Sequence, residues 1–100
     1  MRAFTVLDAL RAVDGRFFGD AAQLSRTINR VLSDSRAVTD NCLFVAFRGE
    51  RVDGHNFMAD CLARGAACCL SEREPENESE TPCIVVKSTL AAMGALAKWY

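Results

Sequence analysis

The segment that most constrains the fold is residues 43–47, a continuous apolar run rich in aromatic and β-branched side chains. A run of this length and composition is typical of a strand that is covered on both faces. Polar segments flank it, with the turn Ser-Asp-Ser-Arg at residues 33–36 before it and a glycine-containing loop at residues 49–55 after it. The sequence therefore predicts a buried strand whose two flanking loops lie near one another.

The other apolar patterns predict helices at residues 5–13, at residues 56–64 and from Ser88 onward. Short strands are predicted at residues 16–18, 66–70 and 83–86, and residues 27–32 alternate imperfectly between polar and apolar types. With the second helix as a crossover between two strands, this order predicts an α/β fold, a small mixed sheet flanked by helices.

Capping signals support these helices. Thr5 and Asp8 have the spacing of a capping box, and Gly15 and Gly65 are natural stops for the first two helices. Ser88 is a predicted N-cap for the last helix. The residues expected on one apolar face of that helix are Leu90, Met93, Leu96, Ala97 and Tyr100.

Residues 71–82 contain five glutamates and both prolines of the chain, with almost no apolar residue. A segment of this composition buries too little apolar surface to order itself. It is predicted to be a solvated loop rather than an acidic recognition motif.

Composition excludes several classes of function. The formal net charge of −1 argues against a general nucleic-acid binder, which would carry a basic excess. No apolar run approaches the roughly 20 residues that cross a bilayer, and the first residues do not begin a signal peptide. We expect a cytoplasmic protein that binds neither nucleic acid nor membrane.

The cysteines favour a structural role. Cys42, Cys61, Cys68, Cys69 and Cys83 lie in apolar segments, are odd in number and include no C-x-x-C pair. Reduced core residues are therefore favoured over a disulfide framework or a zinc site. His55 is the only histidine, and no metal site is predicted.

Each polar segment has two interpretations. The turn at residues 33–36 can read a nucleobase edge or hold phosphate oxygens, or it can simply bond its own backbone. The glycines of residues 49–55 permit close ligand approach, and the following helix N-terminus favours an anion. Alternatively, Asp53 and His55 only cap that helix.

Familiar catalytic signatures are absent from the sequence. It has neither a G-x-x-x-x-G-K-[ST] phosphate loop nor a G-x-G-x-x-G run, and no Ser-His-Asp or Cys-His pair has a suggestive context. The sequence favours binding over catalysis, and no catalytic residue is predicted.

At these segments the chain resembles the N-terminal domain of the Mur ligases, the ATP-dependent amino-acid ligases of peptidoglycan precursor synthesis. The family pattern is an (S/T)-D-(S/T)-R turn, L-F-V-A and a G-x-x-x-D-G-H-x-F loop, here at residues 33–36, 43–46 and 49–57. Asn41 and Cys42 replace the commoner Gly-Asp, which affects the turn more than the site. The run at residues 48–55 is most similar to the members that add D-alanyl-D-alanine to UDP-N-acetylmuramoyl-tripeptide.

The resemblance implies that residues 1–100 are a UDP-substrate-binding domain of a longer chain. A central domain would bind ATP and Mg²⁺, and a C-terminal domain would bring the amine, so the expected partners are UDP-N-acetylmuramoyl-peptide and these two domains. The residues expected to contact the nucleotide are Ser33, Ser35, Glu50, Arg51 and Val52. Those expected to support the two loops are Asp34, Arg36, Asp53 and His55. None performs the chemistry, so this domain alone is expected to be inactive.

Two alternatives stay open. The L-lysine- or diaminopimelate-adding ligase shares the scaffold, and a non-catalytic sugar-nucleotide-binding module can share it too, because a fold alone does not determine a function. Residues 98–100 finish a periodic helix without a stop signal, which adds to the expectation of a longer chain.

Overall fold

The computed structural model describes residues 2–100, and this range contains seven strands and three α-helices. The strands are β1 Phe4–Thr5, β2 Arg16–Phe18, β3 Thr27–Ile28, β4 Arg30–Leu32, β5 Cys42–Val45, β6 Cys68–Ser71 and β7 Cys83–Val85. The helices are α1 Val6–Val13, α2 Met58–Ala63 and α3 Thr89–Trp99. Short 3-10 segments occur at Ala21–Ser25, Ser35–Ala37, Gly54–Phe57 and Glu78–Glu80.

Five strands form one mixed sheet in the order β2-β7-β6-β5-β4. Strands β4 to β7 are parallel, and β2 runs antiparallel to β7. The run at residues 43–47 supplies β5, which lies inside the sheet and is fully buried. Helix α2 crosses from β5 to β6, so the predicted α/β fold and its crossover helix are confirmed.

The sheet separates two apolar cores because successive residues of a strand point to opposite faces. Leu43 and Val45 pack with residues of α1 and α3, whereas Phe44 packs with Met58 and Cys61 of α2. Both faces of β5 are therefore covered, which explains why its sequence is continuously apolar rather than alternating.

The capping predictions are largely confirmed. Thr5 and Asp8 form a reciprocal capping box at α1, Ser88 accepts a hydrogen bond from the Ala91 amide at 3.1 Å, and Gly65 ends α2 with φ +114°. One detail is wrong: the left-handed residue that ends α1 is Asp14, with φ 52°, rather than Gly15.

Three sequence predictions are corrected by tertiary contacts. Residues 27–32 split at Asn29, whose amide donates to the Asn41 carbonyl at 3.0 Å, so β3 pairs with β1 while β4 joins the main sheet. On the predicted apolar face of α3, Leu90 is 74% exposed and Ala97 and Tyr100 are also exposed, because the buried face of the helix consists of Thr89, Ala92 and Leu96.

The third correction is partial: the loop at residues 71–82 is solvated as predicted, with residues 74 and 76–79 exposed, but it is also ordered by its own polar groups. Arg73 pairs with Glu80, whose side chain is almost buried, and Glu80 also accepts from the Glu76 amide at 2.8 Å. Internal charge pairing replaces the apolar burial that this segment lacks.

No helix within residues 2–100 is long and apolar enough to cross a membrane.

The five cysteines are free and buried, as their apolar settings predicted. Burial raises the pKa of the Cys61 thiol to about 11 and that of Cys83 to about 12, and it also raises the pKa of Cys42, Cys68 and Cys69. A thiol that stays protonated and has no access to solvent is a poor nucleophile.

We therefore expect the folded chain at pH 8 to resist alkylation by iodoacetamide, and the urea-unfolded chain to take up five labels, as counted by intact-protein mass spectrometry. Rapid labelling of any one thiol in the folded chain, at the rate of a free cysteine, would contradict this description of the core.

Candidate functional site

A cavity of about 640 Å³ opens at the edge of the sheet where β4 and β5 end. Ligands of open α/β folds bind at the carboxyl ends of parallel strands, and this volume lies within the roughly 300–1,000 Å³ of small-molecule sites. The residues that line the cavity are Ser33, Asp34, Ser35, Arg36, Phe44, Phe47, Gly49, Val52, Gly54 and Phe57. The two polar segments that the sequence singled out thus form two walls of one cavity.

The first wall is the turn that follows β4. The Asp34 carboxylate accepts from the Arg36 amide at 2.9 Å and from the Arg36 guanidinium at 3.1 Å. This hydrogen bonding holds the pKa of the Asp34 carboxyl below its ordinary value. The turn does bond its own backbone, as its simpler interpretation held, but these bonds do not use the hydroxyls of Ser33 and Ser35, and both residues line the cavity.

The C-cap residue of α2, Arg64, also contacts this turn. Arg64 donates to the Ser35 carbonyl and is itself held by Asp60 at 3.0 Å, one helical turn away. The backbone of the turn is thus tied to the end of α2 without using the hydroxyls of Ser33 and Ser35.

The second wall is a tight hairpin at residues 48–53. Arg48 and Asp53 pair across it, and the Gly49 amide donates to the Val52 carbonyl at 2.9 Å. Glu50 and Arg51 lie exposed at its tip and do not line the cavity. Val52 does line the cavity and is 59% exposed.

Gly54 joins this hairpin to the end of β5. Its amide donates to the Phe47 carbonyl at 2.8 Å. A Cβ at this position would lie 3.0 Å from the Phe47 nitrogen and 3.2 Å from the Ala46 Cα, which are both backbone atoms. A glycine is therefore needed here because two backbone segments approach closely, and not because of an unusual dihedral angle.

His55 lies behind the hairpin and is only 1% exposed. Its amide and its Nδ1 both contact the Asp53 carboxylate, at 3.0 and 2.6 Å, and its Nε2 accepts from the Glu72 amide at 2.9 Å. Because Nε2 is an acceptor, the ring proton lies on Nδ1. These contacts with His55 hold the pKa of the Asp53 carboxyl below its ordinary value.

The first amides of the 3-10 segment that leads into α2 are not available to an anion. The amides of Gly54, His55 and Asn56 already donate to Phe47 and Asp53 within the loop. Asp53 is thus a cap, as its simpler interpretation held, and His55 is a buried brace.

The structure brings together most, but not all, of the residues expected at the site. Ser33, Ser35 and Val52 line one cavity with Asp34 and Arg36, while Asp53 and His55 stand behind it. That Glu50 and Arg51 contact the nucleotide stays a prediction, and their position outside the cavity lining does not favour it.

Sequence reasoning missed the aromatic part of the site. Phe44, Phe47 and Phe57 are among its lining residues; Phe44 is completely buried, whereas Phe57 is 37% exposed. Phe57 is the last residue of the G-x-x-x-D-G-H-x-F segment, so its position was visible, but its spacing also suits a core-facing helix residue.

The arrangement is chemically suited to bind a flat polar ring. The partly exposed rings of Phe47 and Phe57 offer a stacking surface, and serine hydroxyls offer both donors and acceptors to the edge of a base. Within residues 2–100, no group of three or more metal-ligating side chains converges.

Comparison with known proteins gives a consistent match. The model of the Mur ligase family, catalytic domain, matches residues 27–100. The UDP-N-acetylmuramoyl-tripeptide--D-alanyl-D-alanine ligase of Escherichia coli (strain K12) is 41% identical over 73 residues, which are 73% of this chain and 16% of that protein. The UDP-N-acetylmuramoyl-L-alanyl-D-glutamate--2,6-diaminopimelate ligase of Parabacteroides distasonis is 43% identical over 75 residues, which are 73% of this chain and 15% of that protein.

Among solved structures, the chain superposes on MurF from Acinetobacter baumannii with a TM-score of 0.83 and 29% identity. This match covers 99% of the chain and 21% of the Acinetobacter chain. The sequence thus spans about a fifth or less of the proteins that it matches.

Proposed function

Because the chain belongs to the Mur ligase family, we propose that it anchors the UDP end of UDP-N-acetylmuramoyl-tripeptide for a ligase that adds D-alanyl-D-alanine. The observation that carries the proposal is the single cavity between the turn at residues 33–36 and the hairpin at residues 48–53. Its serine hydroxyls and aromatic rings suit a uracil and the adjoining ribose phosphate.

In this proposal the chain is one domain of a longer cytoplasmic protein. ATP and Mg²⁺ bind in a central domain and the amine in a third, both outside residues 1–100, so this chain alone hydrolyses no ATP. Anchoring the nucleotide end places the distant peptide carboxylate for reaction elsewhere, so that remote binding energy is used for orientation.

A second candidate is the ligase that adds diaminopimelate or L-lysine. The 43% identity to the Parabacteroides protein favours it as much as the 41% identity to the Escherichia coli protein favours the first. Both candidates use the same UDP-anchoring role for this domain, so the tests below apply to either.

Ser35→Ala tests the role of the turn. Loss of one hydrogen bond is expected to weaken UDP binding by about three- to tenfold, the equivalent of about 0.5–1.5 kcal/mol. The dissociation constant is measured by NMR titration of the chain, together with the melting temperature.

Ser25→Ala is the matched control, since Ser25 is exposed and does not line the cavity. It is expected to bind UDP like the unmodified chain. Equal affinity of the Ser35 and Ser25 variants would remove Ser35 from the site.

A further inference from the structure

The side chain of Arg73 connects the loop at residues 71–82 with the segment that contains His55. Its guanidinium forms two parallel hydrogen bonds with the Glu80 carboxylate, at 2.8 and 2.9 Å. The same group donates to the backbone carbonyl of His55 at 3.1 Å, and it lies 3.5 Å from the Glu76 carboxylate. The planar fork of arginine is suited to satisfy several acceptors at once.

The hydrogen bond from Arg73 to the His55 carbonyl lies next to the hairpin wall of the cavity. His55 follows Gly54 and precedes Phe57, and both of these line the cavity. Neither Arg73 nor Glu80 lines it, so this pair can affect a ligand only indirectly, and its direct contact beside the cavity is the His55 carbonyl.

Glu72 adds a second connection between the same two loops. Its amide donates to His55 Nε2 at 2.9 Å, and its carboxylate accepts from the Thr89 amide at 2.8 Å at the start of α3. His55 is thereby held on its ring and on its carbonyl by neighbouring residues that follow β6.

The Arg73–Glu80 pair is charged and held in a fixed orientation. The Glu80 side chain is almost buried, and the hydrogen bonds from Arg73 hold the pKa of its carboxyl below the ordinary value. Glu80 also accepts from the Glu76 amide, which fixes its orientation. Removing one partner would leave a mostly desolvated charge, which is costly.

We propose that Arg73, oriented by Glu80, is a positioning residue that sets the hairpin wall of the nucleotide cavity through the His55 carbonyl. The loop at residues 71–82 is then a brace for ligand binding and not only a connection between β6 and β7. This inference rests on the proposed UDP-anchoring function.

Arg73→Lys tests the proposal. A lysine ammonium can still pair with Glu80, but it lacks the rigid fork that reaches Glu80 and the His55 carbonyl together. We expect UDP binding to weaken about tenfold, with little change in melting temperature. In the ligand-free chain, the amide resonances of residues 49–57 are expected to shift.

The matched control is Arg16→Lys. Arg16 pairs with Glu74 of the same loop at 3.0 Å, but this pair is exposed and does not contact His55. The control should bind UDP within about twofold of the unmodified chain. Glu80→Gln is a second variant that keeps the shape of the pair but removes its charge, and it replaces Arg73→Lys if that variant does not fold.

The outcomes separate this inference from the proposed function. The positioning role is supported if the Arg73 variant binds UDP weakly while the Arg16 variant and the unmodified chain bind it normally. Affinity equal to that of the unmodified chain overturns it, whatever happens to the melting temperature. If the unmodified chain does not bind UDP, the anchoring function fails, and the positioning role is judged by the amide shifts: unshifted resonances at residues 49–57 overturn it as well.

Discussion

Replacing Phe44 with alanine is expected to lower the free energy of unfolding by about 3–5 kcal/mol, a large part of the roughly 5–15 kcal/mol of a domain this size. Phe44 is completely buried in β5 and packs with Met58 and Cys61 of α2. Because Phe44 is also among the residues that line the cavity, the variant should lose UDP binding together with stability. Urea unfolding followed by far-ultraviolet circular dichroism measures the first effect, and NMR titration measures the second.

Leu90→Ala is the control for the loss of a large apolar side chain. Leu90 is mostly exposed, so its removal should change the free energy of unfolding by no more than about 0.5 kcal/mol. A Phe44 variant that lost less than about 1 kcal/mol would place this ring outside the packed core.

Gly54→Ala is expected to destabilise the chain by about 1–3 kcal/mol, because the added Cβ would lie only 3.0 to 3.2 Å from backbone atoms at the end of β5. The added Cβ would meet backbone atoms of Phe47 and Ala46, which cannot move without moving the strand. The hairpin wall should therefore separate from β5, and UDP binding should be abolished even where the variant is folded.

Gly94→Ala is the matched control for this substitution. Nothing lies within 4 Å of a Cβ added at Gly94, which is inside α3. Alanine is preferred there over glycine, so the variant should gain about 0.5–1 kcal/mol. If the Gly54 variant behaved like the Gly94 variant, close backbone approach would not be the reason for a glycine at position 54.

Local signals in the sequence were enough to predict the central strand, the crossover helix and the helix caps. The caps at Thr5 and Ser88 depend on residues three positions apart, and β5 is defined by its own composition. The polar edge of the cavity was also predictable, because both of its loops are adjacent to β5 in the sequence.

The errors lie where distant residues decide the structure. The break at Asn29 depends on Asn41, and the exposure of Leu90 depends on how α3 packs on α1. The order of residues 71–82 depends on Arg73 reaching both Glu80 and His55, and no local pattern reveals that pairing. The aromatic part of the cavity was missed because the rings of Phe44 and Phe57 have spacings that also suit core residues.

The central claim is that the turn at residues 33–36 and the hairpin at residues 48–53 form one site for the UDP end of a substrate. The most direct test is a titration of the ¹⁵N-labelled chain with UDP at millimolar concentration, with ADP as the control that keeps the diphosphate but changes the base. We predict amide shifts at residues 33–36 and 49–57, much smaller shifts with ADP, and none at α3. Shifts in neither loop with UDP, or the same shifts with both nucleotides, would contradict the claim.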